Sequence, residues 1–256
     1  MIYILVLLVG SFVGYLIYLI FFWQWKKNCQ PFYNDESALI MGHRGSPTSI
    51  TENTLPSFQK AIDRGVDGLE FDVRLSKDKQ IVIFHDSNLE RLSERSEKIE
   101  DLSLSELQSV ELHGTEDQMQ GVYIPSLNDM LVLLGYTKVI NIEIKSDGLF
   151  KGHQIIDPLL KFLDKHGIDD KCIVSSFNPL ILMKIRLARP ETIIGFLYNR
   201  KRFFHGWDNM IWMLRVQPEN LHIHYSMLNH WIVKWARKKG MRINSYTIND
   251  KKVFDS

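Results

Sequence analysis

The sequence is short of several things, and each shortage excludes something. It has only two cysteines, Cys29 and Cys172, so no disulfide scaffold holds it together and a reducing compartment is the simpler setting. It has almost no net charge: 31 Lys+Arg against 30 Asp+Glu leave +1, which argues against nucleic acid as a partner, since phosphate contacts need a marked cationic excess. No GxGxxG follows the first predicted strand, which lowers a doubly wound nucleotide-binding sheet. No repeat or low-complexity tract breaks the chain, and 45% apolar with 24% charged residues is an ordinary globular composition.

Polar residues are also missing from the start. Between Met1 and Trp23 only Gly10, Ser11 and Gly14 lie outside the apolar set. A helix of that length spans roughly 30 Å, the thickness of a hydrocarbon core. A cleavable signal peptide fits less well, because no Lys or Arg precedes the run and no small-x-small site follows it. Lys26 and Lys27 follow directly, and Trp23 and Trp25 suit an interfacial belt. The reading is a single-pass transmembrane anchor over residues 1–25, a polar linker over 26–37 and a body over 38–256 on the cytoplasmic side.

Within the body, apolar runs alternate with amphipathic ones. Strands are predicted at 38–42, 68–75, 80–85, 139–145, 172–176, 192–197, 220–224 and 242–247. Helices are predicted at 55–64, 104–112, 127–134, 152–165, 179–188, 206–216 and 227–239, with Pro56 and Pro179 in tolerated first-turn positions. Eight strands alternating with helices indicate an α/β protein, a (β/α)8 TIM barrel, with residues 87–123 as an excursion after strand three. The sequence ends nine residues after the eighth strand. The expectation is therefore a barrel lacking its final helix, unstable or covered by another element such as a homo-oligomer partner.

Chemistry shows as polar residues on strands that should be apolar. Glu70 and Asp72 are two apart and share one strand face; Asn141, Glu143 and Lys145 share another, opposite Ile140, Ile142 and Ile144. Burying three carboxylates without partners is costly, and a divalent cation (Mg²⁺ or Ca²⁺) with hard oxygen ligands removes the problem. The plainer alternative is a Glu143–Lys145 ion pair with two strand-edge carboxylates. His43-Arg44-Gly45 and His85-Asp86 each follow a strand, so two imidazoles capable of acid–base work and a guanidinium suited to phosphate reach the barrel mouth.

In order, His43-Arg44-Gly45, Glu52-Asn53-Thr54, Gly68 to Val73, Phe84-His85-Asp86, Asn141 to Lys145, Ser175-Ser176-Phe177 and Thr247 to Asp250 resemble the glycerophosphodiester phosphodiesterases. The resemblance implies hydrolysis of glycerophosphodiesters to glycerol 3-phosphate and an alcohol with a divalent cation. It implies His43 and His85 as the acid–base pair, Glu70, Asp72 and Glu143 as metal ligands, and Arg44 and Lys145 as phosphate-binding groups. Glu52 and Asn53 would buttress the site, and Tyr246 would line the substrate pocket where the family usually has tryptophan. A lysophospholipid is the alternative small-molecule substrate, released as lysophosphatidic acid; a catalytically silent, membrane-anchored binding protein is the rival from another class.

Overall fold

The computed structural model describes residues 2–33, 38–113, 121–198 and 207–250. Helix α1 (Ile2–Ile17) runs on through a π-helical turn to Phe22. It gives the described residues one helix, Ile2–Phe22, long and apolar enough to cross a membrane.

The body follows as β1 (Met41–His43), α2 (Leu55–Asp63), β2 (Gly68–Leu75), β3 (Ile81–Ile83), α3 (Leu104–Gln108), α4 (Leu131–Leu134), β4 (Val139–Ile144), α5 (Ile156–His166), β5 (Cys172–Ser176), α6 (Pro179–Ala188), β6 (Ile193–Leu197), α7 (Trp207–Val216), β7 (Asn220–His224), α8 (Trp231–Lys238) and β8 (Arg242–Tyr246). Local chemistry sets the helix starts. Thr54 accepts from Ser57 N–H ahead of Pro56, and Asn178 accepts from Leu180 N–H ahead of Pro179.

Seven strands run parallel in the order β1-β2-β4-β5-β6-β7-β8. Thr247 Oγ1, just past β8, lies 3.5 Å from His43 Nδ1 at the end of β1, so the sheet curls into a nearly closed barrel. The one departure from a simple alternation is β3, which turns back and pairs antiparallel with β2, Val73 opposite Ile83. The outward residues Leu69, Phe71, Val73, Ile140, Ile142 and Ile144 are all buried in the main core, together with Leu159, Leu163, Ile181, Ile185, Val233 and Ala236 of the surrounding helices.

The excursion after β3 has a small core of its own, in which Val82 and Phe84 of the hairpin meet Leu89, Ile99, Leu107 and Ile124. The expected linker is held against the body through Phe32, which packs on Val139, Ile173 and Ile193 at the amino-terminal end of the barrel, and Trp25, the last residue of the expected anchor, is buried as well.

Candidate active site

Strand register assembles the acidic cluster. Asp72 on β2 stands directly beside Glu143 on β4, and Glu70 stands between His43 on β1 and Asn141 on β4. Like charges side by side on neighbouring strands repel. All three carboxylates are nevertheless buried, and one oxygen from each lies within 4.8 Å of the others.

The cations present neutralise this only in part. Lys145 donates to Glu143 and lies 3.0 Å from Asp72 Oδ1, while Arg44 Nε lies 3.1 Å from Asp72 Oδ2. Asp72 Oδ1 accepts no hydrogen bond of good geometry. Burial, with Asp72 and Glu143 alongside, pushes the Glu70 carboxyl well above the usual range. Burial raises Glu143 as well, against the pull of Lys145. At Asp72 burial is outweighed by Lys145 and Arg44, which hold it below its ordinary value. A compact, all-oxygen, charge-rich donor set fits a hard divalent cation. The Glu143–Lys145 ion pair of the plainer alternative is present, and Lys145 with Arg44 also compensates Asp72, but Glu70 is left without a close cationic side chain of its own.

The turn after β1 holds the cluster from one side. Arg44 and Asn53 both adopt left-handed backbone, with φ of 56° and 58°. Gly45, at φ 88°, passes so close to α2 that an added Cβ would lie 2.5 Å from Ser57 Oγ, so the glycine serves packing on the helix. Asn53 donates from Nδ2 to Asp72 Oδ2 at 2.8 Å, and its Oδ1 accepts from Asp72 N–H at 3.3 Å. Arg44 donates its backbone N–H to Glu70 Oε2 at 3.0 Å and Nη1 to Glu52 Oε1 at 2.9 Å.

The two imidazoles have different surroundings. His43 Nε2 lies 3.8 Å from Glu70 Oε2, and burial together with Arg44 pushes its pKa down to about 4. His85 is also lowered, by burial and by Lys145, but its Nδ1 is 2.6 Å from Asp86 Oδ1. Asp86 is held by Arg91, whose Nε donates to Oδ2 at 2.5 Å and whose Nη2 donates to Glu52 Oε1 at 2.6 Å. Tyr246 makes an aromatic wall with Phe177 and His224, at ring separations of 6.5 and 6.1 Å. Burial and Glu143 raise its hydroxyl to about 12, so it stays protonated.

All ten residues singled out in the sequence thus fall at one mouth. His85 arrives there for a different reason than a parallel strand end: the antiparallel β3 carries it back beside β2. Sequence reasoning missed Arg91, Phe177 and Thr247 as members of the site, and it noted Asp86 without its orienting contact. A cavity of about 770 Å³ opens beside His85, lined by Arg74, Arg91, Glu143, Lys145 and Phe177.

Fold and site define a hydrolase of the (β/α)8-barrel class with a metal-binding acidic cluster. Comparison narrows the class: the profile of the Glycerophosphoryl diester phosphodiesterase family matches residues 43–256, and the chain belongs to that family. A glycerophosphodiester phosphodiesterase of Caldanaerobacter subterraneus subsp. tengcongensis is 30% identical over 217 residues, 84% of this chain and 87% of the relative. An Oleispira antarctica phosphodiesterase, solved in complex with the product sn-glycerol-3-phosphate, superposes with TM-score 0.74 at 28% identity, covering 84% and 87% of the two chains. The Thermotoga maritima glycerophosphodiester phosphodiesterase gives TM-score 0.69 at 31% identity over 86% and 90%. Family and homologues support glycerophosphodiester phosphodiesterase activity for this chain.

Proposed function

We propose that the chain is a membrane-anchored enzyme that hydrolyses glycerophosphodiesters to glycerol 3-phosphate and an alcohol. In this reading Glu70, Asp72 and Glu143 would hold a divalent cation, and His43 and His85 divide the proton transfers. The supporting observation is the juxtaposition, at one barrel mouth, of three mutually close buried carboxylates with two imidazoles and two phosphate-seeking cations.

When bound, Mg²⁺ or Ca²⁺ supplies charge neutralisation and lowers the pKa of a substrate hydroxyl. The remaining work falls to side chains. His43, neutral and without a carboxylate on Nδ1, removes the proton from the glycerol 2-hydroxyl, whose oxygen attacks phosphorus in line. His85 is the acid: Asp86 on Nδ1 stabilises its imidazolium and aims the other nitrogen at the departing alcohol oxygen, which takes the proton. The anionic phosphodiester itself favours that imidazolium on arrival. Water then opens the cyclic glycerophosphate with the two roles reversed. Arg44 and Lys145 offer donors to the phosphoryl oxygens, and Tyr246 with Phe177 walls the pocket. Direct attack by water is the competing route; it forms no cyclic intermediate.

The helix Ile2–Phe22 is read as a single membrane span, with the body on the Lys26–Lys27 side, the cytoplasmic side by the positive-inside rule. The test of the catalytic reading is glycerol 3-phosphate release by chelated enzyme, His43→Ala and His85→Ala. Each is expected to lose at least about a hundredfold in kcat, and near-normal turnover in all three would end the mechanism.

A further inference from the structure

The apolar helix does not end in a free tether. Trp235 of α8 donates its indole N–H to the Ile20 carbonyl at 2.8 Å, and Lys239 donates to the carbonyls of Leu19, at 3.1 Å, and of Trp23. Carbonyls in the last turn of a helix have no partner within it, and a cation is the group that suits that end. Lys239 is 2% exposed, and its ammonium lies 5.9 and 5.8 Å from the rings of Trp25 and Trp235. A buried lysine spent on a helix terminus fixes that helix to the body.

The chain then straps across one end of the barrel. Trp25 donates its indole N–H to the Pro218 carbonyl at 3.3 Å. Asn28 gives its amide to the Pro190 carbonyl at 2.8 Å and its backbone N–H to Glu219 at 3.2 Å. Gln30 accepts from Asn220 at 2.8 Å, and Tyr33 donates to Asn244 at 2.8 Å. Pro190, Pro218 and Glu219 lie in the turns before β6 and β7, and Asn220 opens β7. These positions lie at the amino-terminal end of the barrel; the acidic cluster lies at the carboxyl-terminal end. Glu70 stands two residues past the start of β2, and Asp72 and Glu143 four residues past the starts of β2 and β4, about 7–13 Å along the strands. The helix is seated only there: residues 2–15 are all exposed, and Leu19 and Ile20 are the first residues of the helix packed on the core.

We infer that helix and strap form one rigid mount that keeps the catalytic mouth on the side of the barrel away from the bilayer. The substrate is then a deacylated, water-soluble glycerophosphodiester rather than a lysophospholipid lying in the membrane that carries the enzyme. This rests on the reading of Ile2–Phe22 as a membrane span. A loose tether would let the barrel turn its mouth to a lipid head group; a clamped helix end does not. The acyl chain of a lysophospholipid would have to leave the bilayer altogether to reach the mouth, which its buried methylenes oppose.

The test uses the full chain in phosphatidylcholine vesicles containing a head-group spin-labelled quencher lipid. One fluorophore goes on Cys29, exposed within the strap; Cys172 is buried and does not compete. A second goes on position 150 of Phe150→Cys made together with Cys29→Ser; Phe150 is 82% exposed and follows the cavity-lining Gly148 and Leu149. Quenching is expected to be strong at position 29 and at least fivefold weaker at position 150. In the same vesicles, kcat/KM for glycerophosphocholine is expected to exceed that for incorporated lysophosphatidylcholine by at least tenfold. Equal quenching, or hydrolysis of the two substrates within twofold, overturns the mount. Vesicle flotation is run in parallel: protein that fails to float overturns the membrane reading and this proposal together, whereas protein that floats with position 150 quenched overturns the mount alone.

Discussion

Arg91, on the excursion after β3, and Glu52, on the loop after β1, are joined by a 2.6 Å ion pair that links the two halves of the mouth. Through it Asp86 and His85 are tied to Glu52 and Arg44. Burial alone would raise the Glu52 carboxyl, but Arg91 and Arg44 together hold it below its usual range. Removing Arg91 frees Asp86 to rotate and leaves Glu52 with one partner. Arg91→Met is expected to lower kcat by about tenfold to a hundredfold, the usual cost of losing a residue that orients a catalytic group. Arg91→Lys should recover part of the loss. Steady-state kinetics with circular dichroism as a folding control check this; unchanged kcat in Arg91→Met would show that the bridge does not matter to turnover.

The assignment of His85 as acid makes a separable prediction. An activated leaving group such as p-nitrophenolate departs without protonation. His85→Ala should therefore lose far less activity on glycerol p-nitrophenyl phosphate than on glycerophosphocholine, by a margin of about a hundredfold. His43→Ala should lose comparable activity on both. The reverse pattern would exchange the two roles.

The acidic cluster should report cation binding in its stability. A cation that binds only the folded chain, at about a hundredfold its Kd, stabilises by about 2.7 kcal/mol, which is a Tm rise of about 5–10 °C for a protein of this size. Mg²⁺ and Ca²⁺ titrated into chelated enzyme are the probes. Glu143→Gln relieves the repulsion with Asp72, so it should raise the Tm of the chelated protein and flatten its response to cation. A response unchanged in that variant would place the ion elsewhere.

His222 sets an acid limit on stability. It is buried inside the barrel, where its Nε2 accepts from Asn244 Nδ2 at 2.8 Å, and burial pushes its pKa down to about 3. Unfolded, the same imidazole titrates near 6.5. The unfolded state therefore binds more protons between those values. The contribution of neutral His222 is fully present above about pH 6.5 and is lost as pH falls toward 3, at up to about 1.4 kcal/mol per unit. Urea unfolding midpoints measured from pH 7.5 to 4.5 should fall steeply in the wild type and less steeply in His222→Gln, which keeps an acceptor for Asn244. Parallel slopes would remove His222 from the account.

How much of this was legible follows from which signals are local. Glu70 and Asp72, like Glu143 and Lys145, betray themselves by the period of two, because a strand that turns isoleucines outward must turn their neighbours inward. Strands at 68–75, 172–176 and 220–224 and the helix at 179–188 have the predicted bounds, since apolar runs and caps define both ends. The direction of β3 was not legible: Ile81–Ile83 reads alike in either orientation, and only the partner decides. The partnership of Arg91 with Glu52 joins residues 39 positions apart across two loops, and nothing local marks it. The strap read as a linker because Asn28, Gln30 and Tyr33 are polar; what makes them structural is the row of polar groups they meet.

The hairpin also limits how the molecule can change. Ile81 and Ile83 belong to the main core, while Val82 and Phe84 belong to the small core of the excursion, so successive residues of β3 are sewn into different layers. A single inserted or deleted residue between Leu75 and Ile81 would exchange those layers and swing His85 to the opposite side. Lengthening beyond Arg91 carries no such penalty. Relatives and engineered versions should therefore vary freely in the excursion past Arg91 while keeping the count of residues in the β2–β3 turn.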